Sequence, residues 1–554
     1  MINKYNNQDF KLNETFNLAV KNQSNNNFLV AQKLYKEVLK INPIHSNTLN
    51  NLGLISYILG DNHNAINYYK KAINSNQSNS NAYNNLGVVF KILGEDHKAK
   101  NCYEKAIKIN PNYADAYNNL GIIFYNSGDN QKAKDCYEKA IKIDPNNINF
   151  LNNIINLAIS IDLTDLSEDN IKSYKKLFLF LFKKNNISHN NISTNSKYVL
   201  LFEYNKNNIE KIINSESLLL NNKIIQKFLI EDLLHLMLQK SIIADNLIEK
   251  FLTKIKCEIL FILDSASKDD LKKYFHFIIS LSEQCWLNEY VHIQSEKEIK
   301  KIYKLKDKIE RSEQIDEFEI AILGCYIPLN TSSIITKKLI NYESSNFLFN
   351  NLINVQIKEP LKEKELTKTI ESLDIINDLV SKKVRKQYEE NPYPRWRYSD
   401  KYKSIHFLNS LNNDIKPNKV TYYNKFDNPN VLIAGCGTGN HLLSASNYNN
   451  SNVLGVDLSL ASLAFAKRKV EESGSKNIKF LHGDILQLKK LNKRFDIIES
   501  SGVLHHMKDP IAGLKVLTDI LEPHGYLKLG LYSKSAREGI TKVREFIKQK
   551  NLKN

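Results

Sequence analysis

Small and apolar residues recur at a fixed interval through residues 12–160. Leu52-Gly53, Leu86-Gly87 and Leu120-Gly121 lie 34 residues apart, as do Gly60, Gly94 and Gly128. Ala31, Ala65, Ala99 and Ala133 share that spacing, followed by Tyr35, Tyr69, Tyr103 and Tyr137, and by Ala72, Ala106 and Ala140. Pro43, Pro111 and Pro145 close three of the units, with Gln77 at the corresponding place in the other. This pattern predicts paired helices. Small residues let the two helices approach, large ones fill the gaps between pairs, glycine makes the turn and proline ends the second helix. From 161 to 383 the apolar positions follow a helical period instead, as in 224–243, 271–287 and 317–329, and predict an all-α region.

From Asn430 the pattern changes again. VLIAGCGTG (431–439) is a short β-branched run entering a glycine turn, and NVLGVD (452–457), NIKFLHGD (477–484) and FDIIESS (495–501) are further strands. A last strand falls within 522–533. Residues 459–474 and 510–520 between them read as helices. Strand–helix alternation at this spacing predicts a parallel sheet with right-handed crossovers, which binds ligands at the carboxyl ends of its strands. Residues 384–429 connect the helical and α/β parts. Within them VRKQYEENPYPRW (384–396) breaks helix at Asn391-Pro392. That stretch is a linker, or a lid over the mouth of the following domain held by Tyr388, Tyr393 or Trp396. The dense cluster Trp286-Leu287-Asn288-Glu289-Tyr290 reads equally as an interface or a site.

The repeat resembles the tetratricopeptide repeat in period and in its Leu-Gly…Ala…Pro pattern. Residues 80–113 and 114–147 match best, 46–79 well, and 12–45 is degraded. Roughly three units suffice for a continuous core. Asn17, Asn51, Asn85, Asn119 and Asn153 occupy one register of the repeat. Similar arrays in the O-linked N-acetylglucosamine transferase grip a peptide backbone with such an asparagine ladder. An amide both donates and accepts, so it pairs with main chain of any sequence. The implied partner is a peptide or protein.

In the α/β part, no Gly-Lys-Ser/Thr follows the glycine turn, which excludes a P-loop, and Asn440 stands where a dinucleotide fingerprint needs its third glycine. The motifs GCGTG, GVD, GD-Ile and GVLHH, in that order over about 430–534, resemble the class I S-adenosylmethionine-dependent methyltransferases. That resemblance implies cofactor contacts from Gly435, Gly437, Gly439, Asp457, Asp484, Ile485 and Ser501, with Gly502 and Leu504 lining the other side. Asp457 is placed for the ribose hydroxyls and Asp484 for the adenine amino group. His505 and His506 follow the fourth strand, where the methyl should point, and Tyr532 ends the fifth. They are the candidates for orienting or deprotonating the acceptor.

Two departures stand out. Ile433 occupies the place of a common acidic residue, and one helix follows the fifth strand where the class adds an antiparallel hairpin. The expected fold is therefore multidomain: an all-α tetratricopeptide superhelix (12–160), a helical middle region (161–383), a linker or lid (384–429) and a Rossmann-like α/β methyltransferase domain (430–554) lacking its last strands. The expected activity is methyl transfer to a protein-associated acceptor. The alternative is a non-catalytic scaffold with a decayed domain.

Composition narrows the partners. At 554 residues the chain needs roughly three or four domains. The net charge of +17 is spread along the chain without a basic stripe, and the Asn/Asp-Pro-Pro-Tyr type of motif used on base amino groups is absent. A nucleic-acid partner is not expected. The six cysteines form no CxxC pair, so no metal site is expected and reduced thiols in the cytoplasm are. The polar N-terminus and the lack of a long uncharged apolar run predict neither signal peptide nor membrane span.

Overall fold

The computed structural model describes residues 2–549 apart from 165–166, 215–218, 264–270, 391, 402–403, 419, 421–425 and 534–537, with backbone only at 2–7, 540, 544 and 547–549. Asn391 of the predicted helix break thus lies outside the described residues. The chain forms two compact units, residues 1–170 and 171–554. Among the described residues no helix is long and apolar enough to cross a membrane.

The first unit is a helical array: α1 (Ile2–Ser24), α2 (Phe28–Ile41), α3 (Ser46–Ile58), α4 (Asn62–Ser75), α5 (Ser80–Ile92), α6 (Asp96–Ile109), α7 (Ala114–Asn126), α8 (Asn130–Ile143) and α9 (Ile148–Ser160). Helices pair as α1–α2, α3–α4, α5–α6 and α7–α8, and each pair packs on the next. The Leu-Gly positions show why the repeat is strict. A Cβ on Gly53, Gly87 or Gly121 would lie 2.6 Å from Cε1 of Tyr69, Tyr103 or Tyr137, the buried tyrosine of the partner helix. Glycine and tyrosine therefore fix each other at every pair.

The predicted asparagine register has a structural role within the array. Asn85, Asn119 and Asn153 donate through Nδ2 to Oδ1 of Asn50, Asn84 and Asn118 in the preceding repeat, at 3.0, 3.0 and 2.7 Å. Asn51 donates instead to the Tyr35 hydroxyl at 3.0 Å. Asn17 on α1 is exposed. The acceptors Asn50, Asn84 and Asn118 are buried, so each inter-repeat bond also satisfies a buried carbonyl.

In the second unit the helix Phe275–Leu287 is the helical core: every residue from Phe277 to Leu287 is buried. It packs against Asp232–Lys240, Glu317–Gly324 and Phe347–Ile353. The apolar run 224–243, predicted as one helix, is two, Lys223–Phe228 and Asp232–Lys240, because Glu231 caps the second through Leu233 N. Polar residues inside this core are paired: Gln356 Nε2 donates to Ser282 O at 3.0 Å, and Asn351 Nδ2 to Glu283 Oε1 at 2.7 Å.

Burial pushes the Glu283 carboxyl up from 4.5 to about 7, against the pull of Arg397. The folded chain thus holds this proton more tightly than the unfolded one. The contribution is fully present below the unfolded value and is lost as pH rises through about 7. Glu283→Gln removes the titration. Its stability relative to wild type rises by up to about 3 kcal/mol between pH 5 and pH 8, as urea unfolding of both proteins at the two pH values will show.

The sheet has six parallel strands in the order β1-β4-β3-β2-β5-β6. They are β1 (Glu371–Ser372), β2 (Asn430–Ala434), β3 (Asn452–Asp457), β4 (Ile478–His482), β5 (Phe495–Ser501) and β6 (Leu521–Gly530). Apolar clusters cover both faces, one around Val431, Ile433 and Leu463, the other around Leu432, Ile498 and Leu517. Connections leave β2 toward β3 and β4, and the chain then crosses to β5 and β6 on the other side. The switch point lies at the carboxyl end of β2, where the glycine turn stands. β1 was not expected. It belongs to the predicted helical middle region and pairs with β4, fixed by Ser372 Oγ and His482 Nδ1 at 2.9 Å. The middle region and the α/β part, separate in the sequence reading, therefore share one sheet and one compact unit.

Candidate functional site

The turn after β2 carries three left-handed glycines, with φ of +77° at Gly435, +51° at Gly437 and +87° at Gly439. Gly435 N and Cys436 N donate to Val456 O of β3 at 2.8 and 3.0 Å. Close packing presses on both ends of the turn. A Cβ on Gly435 would stand 2.3 Å from Val503 Cγ2, and one on Gly439 would stand 2.5 Å from Ala466 Cβ. At Gly437 and Gly502 a Cβ would meet no protein atom within 4 Å. Those two backbones face open space, a cradle that side chains would fill.

That space is a cavity of about 440 Å³ at the carboxyl ends of β2 to β5, within the range of ligand sites. All seven residues assigned to cofactor contacts line it: Gly435, Gly437, Gly439, Asp457, Asp484, Ile485 and Ser501. His506 and Tyr532 line it as well. His505 does not. Its ring lies against Tyr532, with centroids 3.9 Å apart, and 4.3 Å from that of His506. Leu504, expected on the cavity wall, is buried in the apolar cluster around Leu517, and its neighbour Val503 takes the wall position.

The two carboxylates are held by backbone. Asp457 Oδ2 accepts from Gly437 N at 2.7 Å and Oδ1 from Ser459 N at 2.9 Å. Burial pushes the Asp457 carboxyl above its ordinary range while these N–H groups pull it back. Each oxygen keeps a further lone pair for a ligand hydroxyl. Asp484 Oδ1 accepts from Leu486 N at 3.0 Å. One acid thus sits against the glycine turn and the other across the same cavity.

A helix that sequence reasoning did not connect to the site closes one side. Leu379–Glu390 contributes Ser381, Val384 and Tyr388 to the wall, and the stretch after it adds Tyr393 and Pro394. Glu389 seats this helix: Oε1 accepts from Leu460 N at 2.9 Å and Oε2 from Ala461 N at 3.2 Å, on the first turn of the helix Leu460–Ser473. A carboxylate at a helix N-terminus is favourably placed. Burial and the nearby Asp457 raise the Tyr388 phenol above its ordinary range. The signal for this wall was the aromatic content of YEENPYPRW. Trp396 itself is buried beneath the wall, against Phe465. Among the described residues no cluster of three His, Cys, Asp or Glu is arranged to hold a metal.

Comparison with known proteins agrees with this division. Residues 431–525 match the family described as methyltransferase domain. Tetratricopeptide-repeat families match 53–94, 89–128 and 114–147. An uncharacterized protein of Synechococcus sp. is 35% identical over 121 residues, covering 22% of this chain and 29% of the relative. The ubiquinone biosynthesis O-methyltransferase of Coxiella burnetii is 32% identical over 132 residues, 24% of this chain and 54% of that protein. The chain thus spans between about a third and about half the length of these curated relatives. Among solved structures, MamA is 32% identical, covering 25% of this chain and 81% of that chain, with a TM-score of 0.23. The first repeat domain of RPAP3, bound to an HSP90 peptide, is 22% identical, covering 20% of this chain and 92% of that chain, with a TM-score of 0.20.

Proposed function

Since the chain carries tetratricopeptide repeats and a class I methyltransferase domain, we propose that it transfers a methyl group from S-adenosylmethionine to an acceptor presented by a protein that the repeats engage. The observation that carries this reading is the single cavity that gathers Gly435, Gly437, Gly439, Asp457 and Asp484. The cofactor, when bound, supplies a methyl group activated by a sulfonium.

The protein's own part is to bind, orient and exclude water. Asp457 accepts from the ribose hydroxyls, and Asp484 accepts from the adenine amino group. The bare backbone at Gly437 and Gly502 admits the ligand to van der Waals contact. His506, on the cavity wall, takes the acceptor's proton as the acceptor gains the methyl, and later releases it to solvent. His505 and Tyr532 hold the His506 ring through the aromatic stack. In the repeats, the inter-repeat bonds align Asn51, Asn85, Asn119 and Asn153 in one row, and their remaining acceptor capacity suits the N–H groups of an extended peptide.

His506→Gln separates binding from chemistry. Methyl transfer to whatever acceptor the full chain labels with radioactive S-adenosylmethionine falls about 100-fold, within the range of general-base catalysis, while cofactor affinity stays within about threefold. Unchanged turnover would remove His506 from the mechanism.

A further inference from the structure

Two motifs that the chemistry leaves unused meet each other: Trp286–Tyr290 and the Pro394–Arg397 stretch. The latter presents alternate side chains to two partners. On one side is the glycine turn. Thr438 Oγ1 donates to Pro394 O at 2.8 Å, and Trp396 Nε1 donates to Thr438 O at 3.2 Å. Trp396 packs edge-on to Phe465 at 5.8 Å. On the other side is the buried helix Phe275–Leu287 and the turn after it. The Arg395 guanidinium lies 4.5 Å from the centre of the Trp286 ring, and its Nε lies 3.9 Å from Glu289 Oε1. Arg397 Nη1 lies 3.5 Å from Glu283 Oε2, and Nη2 donates to Asn351 Oδ1 at 3.3 Å.

The turn that presents Glu289 is unusual. Glu289 and Tyr290 have φ of +57° and +59°, a left-handed conformation that non-glycine residues rarely adopt and that persists when surrounding contacts enforce it. The Tyr290 hydroxyl, donating to Gln356 Oε1 at 3.3 Å, is one such contact. The glycine turn has the opposite character. Three left-handed glycines give it little stiffness of its own. Its anchors are Asp457 and Val456 O on the sheet side and, at Thr438, the Pro394–Trp396 stretch.

We propose that Arg395 and Arg397 are positioning residues for the cofactor pocket. Through Glu283, Trp286 and Glu289 the helical region holds the strap of residues 393–397 against Thr438, and so fixes the glycine turn and the Tyr393–Pro394 wall. The pocket then belongs to the helical region as much as to the sheet. Only the ligand part of this proposal rests on the methyl-transfer reading; the stiffening of the turn stands without it.

The test uses the full chain carrying Arg395→Ala, Arg395→Lys, Trp286→Leu or the Arg395→Ala/Trp286→Leu pair. Two quantities are read: hydrogen exchange of amides 435–443 without ligand, and the release rate of S-adenosylhomocysteine. In Arg395→Ala both rise about tenfold or more. Arg395→Lys, which keeps the charge and loses the planar stack, lies between. Trp286→Leu reproduces the effect, and the double variant adds no more than about twofold, as expected for two halves of one contact. Wild-type exchange at 435–443 in Arg395→Ala overturns the proposal. So does an exchange increase spread evenly over the whole chain, which marks general destabilisation. If Arg395→Ala fails to fold, Arg395→Lys and Trp286→Leu decide on the same readouts. A wild-type chain that binds no S-adenosylhomocysteine refutes the methyl-transfer reading, and the exchange measurement still decides the role of the strap.

Discussion

Asp457→Ala binds S-adenosylhomocysteine at least about 100-fold more weakly than wild type and remains folded. The carboxylate is buried at the carboxyl end of β3, with both oxygens bonded to backbone N–H groups of Gly437 and Ser459. Two further hydrogen bonds from ribose hydroxyls to a charged acceptor are worth about 1.5–3 kcal/mol each. Their loss gives the factor of 100 or more, since every 1.4 kcal/mol is about tenfold. Stability responds differently. The variant loses the bonds to Gly437 N and Ser459 N, but it also removes a carboxylate whose burial is unfavourable enough to raise its pKa. These terms oppose each other, so the melting temperature moves little while affinity collapses. Asp457→Asn keeps the shape and one acceptor oxygen and falls between. Calorimetric titration and thermal unfolding of the same samples check both halves.

Gly439→Ala has the second large effect, for a different reason. Its φ of +87° places an alanine in strained backbone, at about 1–2 kcal/mol. Its Cβ would stand 2.5 Å from Ala466 Cβ and 3.1 Å from Ala466 Cα, and the latter cannot rotate away. Overpacking adds about 1–3 kcal/mol. The turn lifts from the helix Leu460–Ser473, the cavity floor shifts, and cofactor affinity falls by about 100-fold or more. Adding Ala466→Gly relieves the contact but not the backbone strain, so it restores about half of the lost free energy. Melting curves and titrations of the single and double variants separate the two terms.

Much of this was legible in the sequence where local chemistry and long-range packing agree. The helix Leu460–Ser473 begins and ends within one residue of its predicted span because Ser459 caps it and Gly474 takes the left-handed position after it. β3 was read in full from NVLGVD, whose apolar residues meet both neighbouring strands. The cofactor residues come from short motifs at strand ends, and strand ends in a parallel sheet converge on one cavity. The residues that escaped depend on partners far along the chain. β1 is two polar residues with no periodicity of their own, recruited by the free side of β4. Glu389 reads as an ordinary surface acid until the N-terminus of the helix it caps is brought to it. The asparagine register was visible, but its partners Asn50, Asn84 and Asn118 sit one residue earlier and act across repeats, which a single-register reading passes over. The meeting of Trp286–Tyr290 with Pro394–Arg397 spans more than a hundred residues, and neither motif names the other.

The central claim is that one cavity holds S-adenosylmethionine between a glycine turn and two aspartates. Isothermal titration of the full-length chain with S-adenosylhomocysteine tests it most directly. The account predicts saturable heat for one ligand per chain, a raised melting temperature with ligand, and loss of both in Asp457→Ala. A full-length, folded chain that gives neither heat nor a melting shift at millimolar ligand, or an Asp457→Ala variant that binds as tightly as wild type, would contradict it.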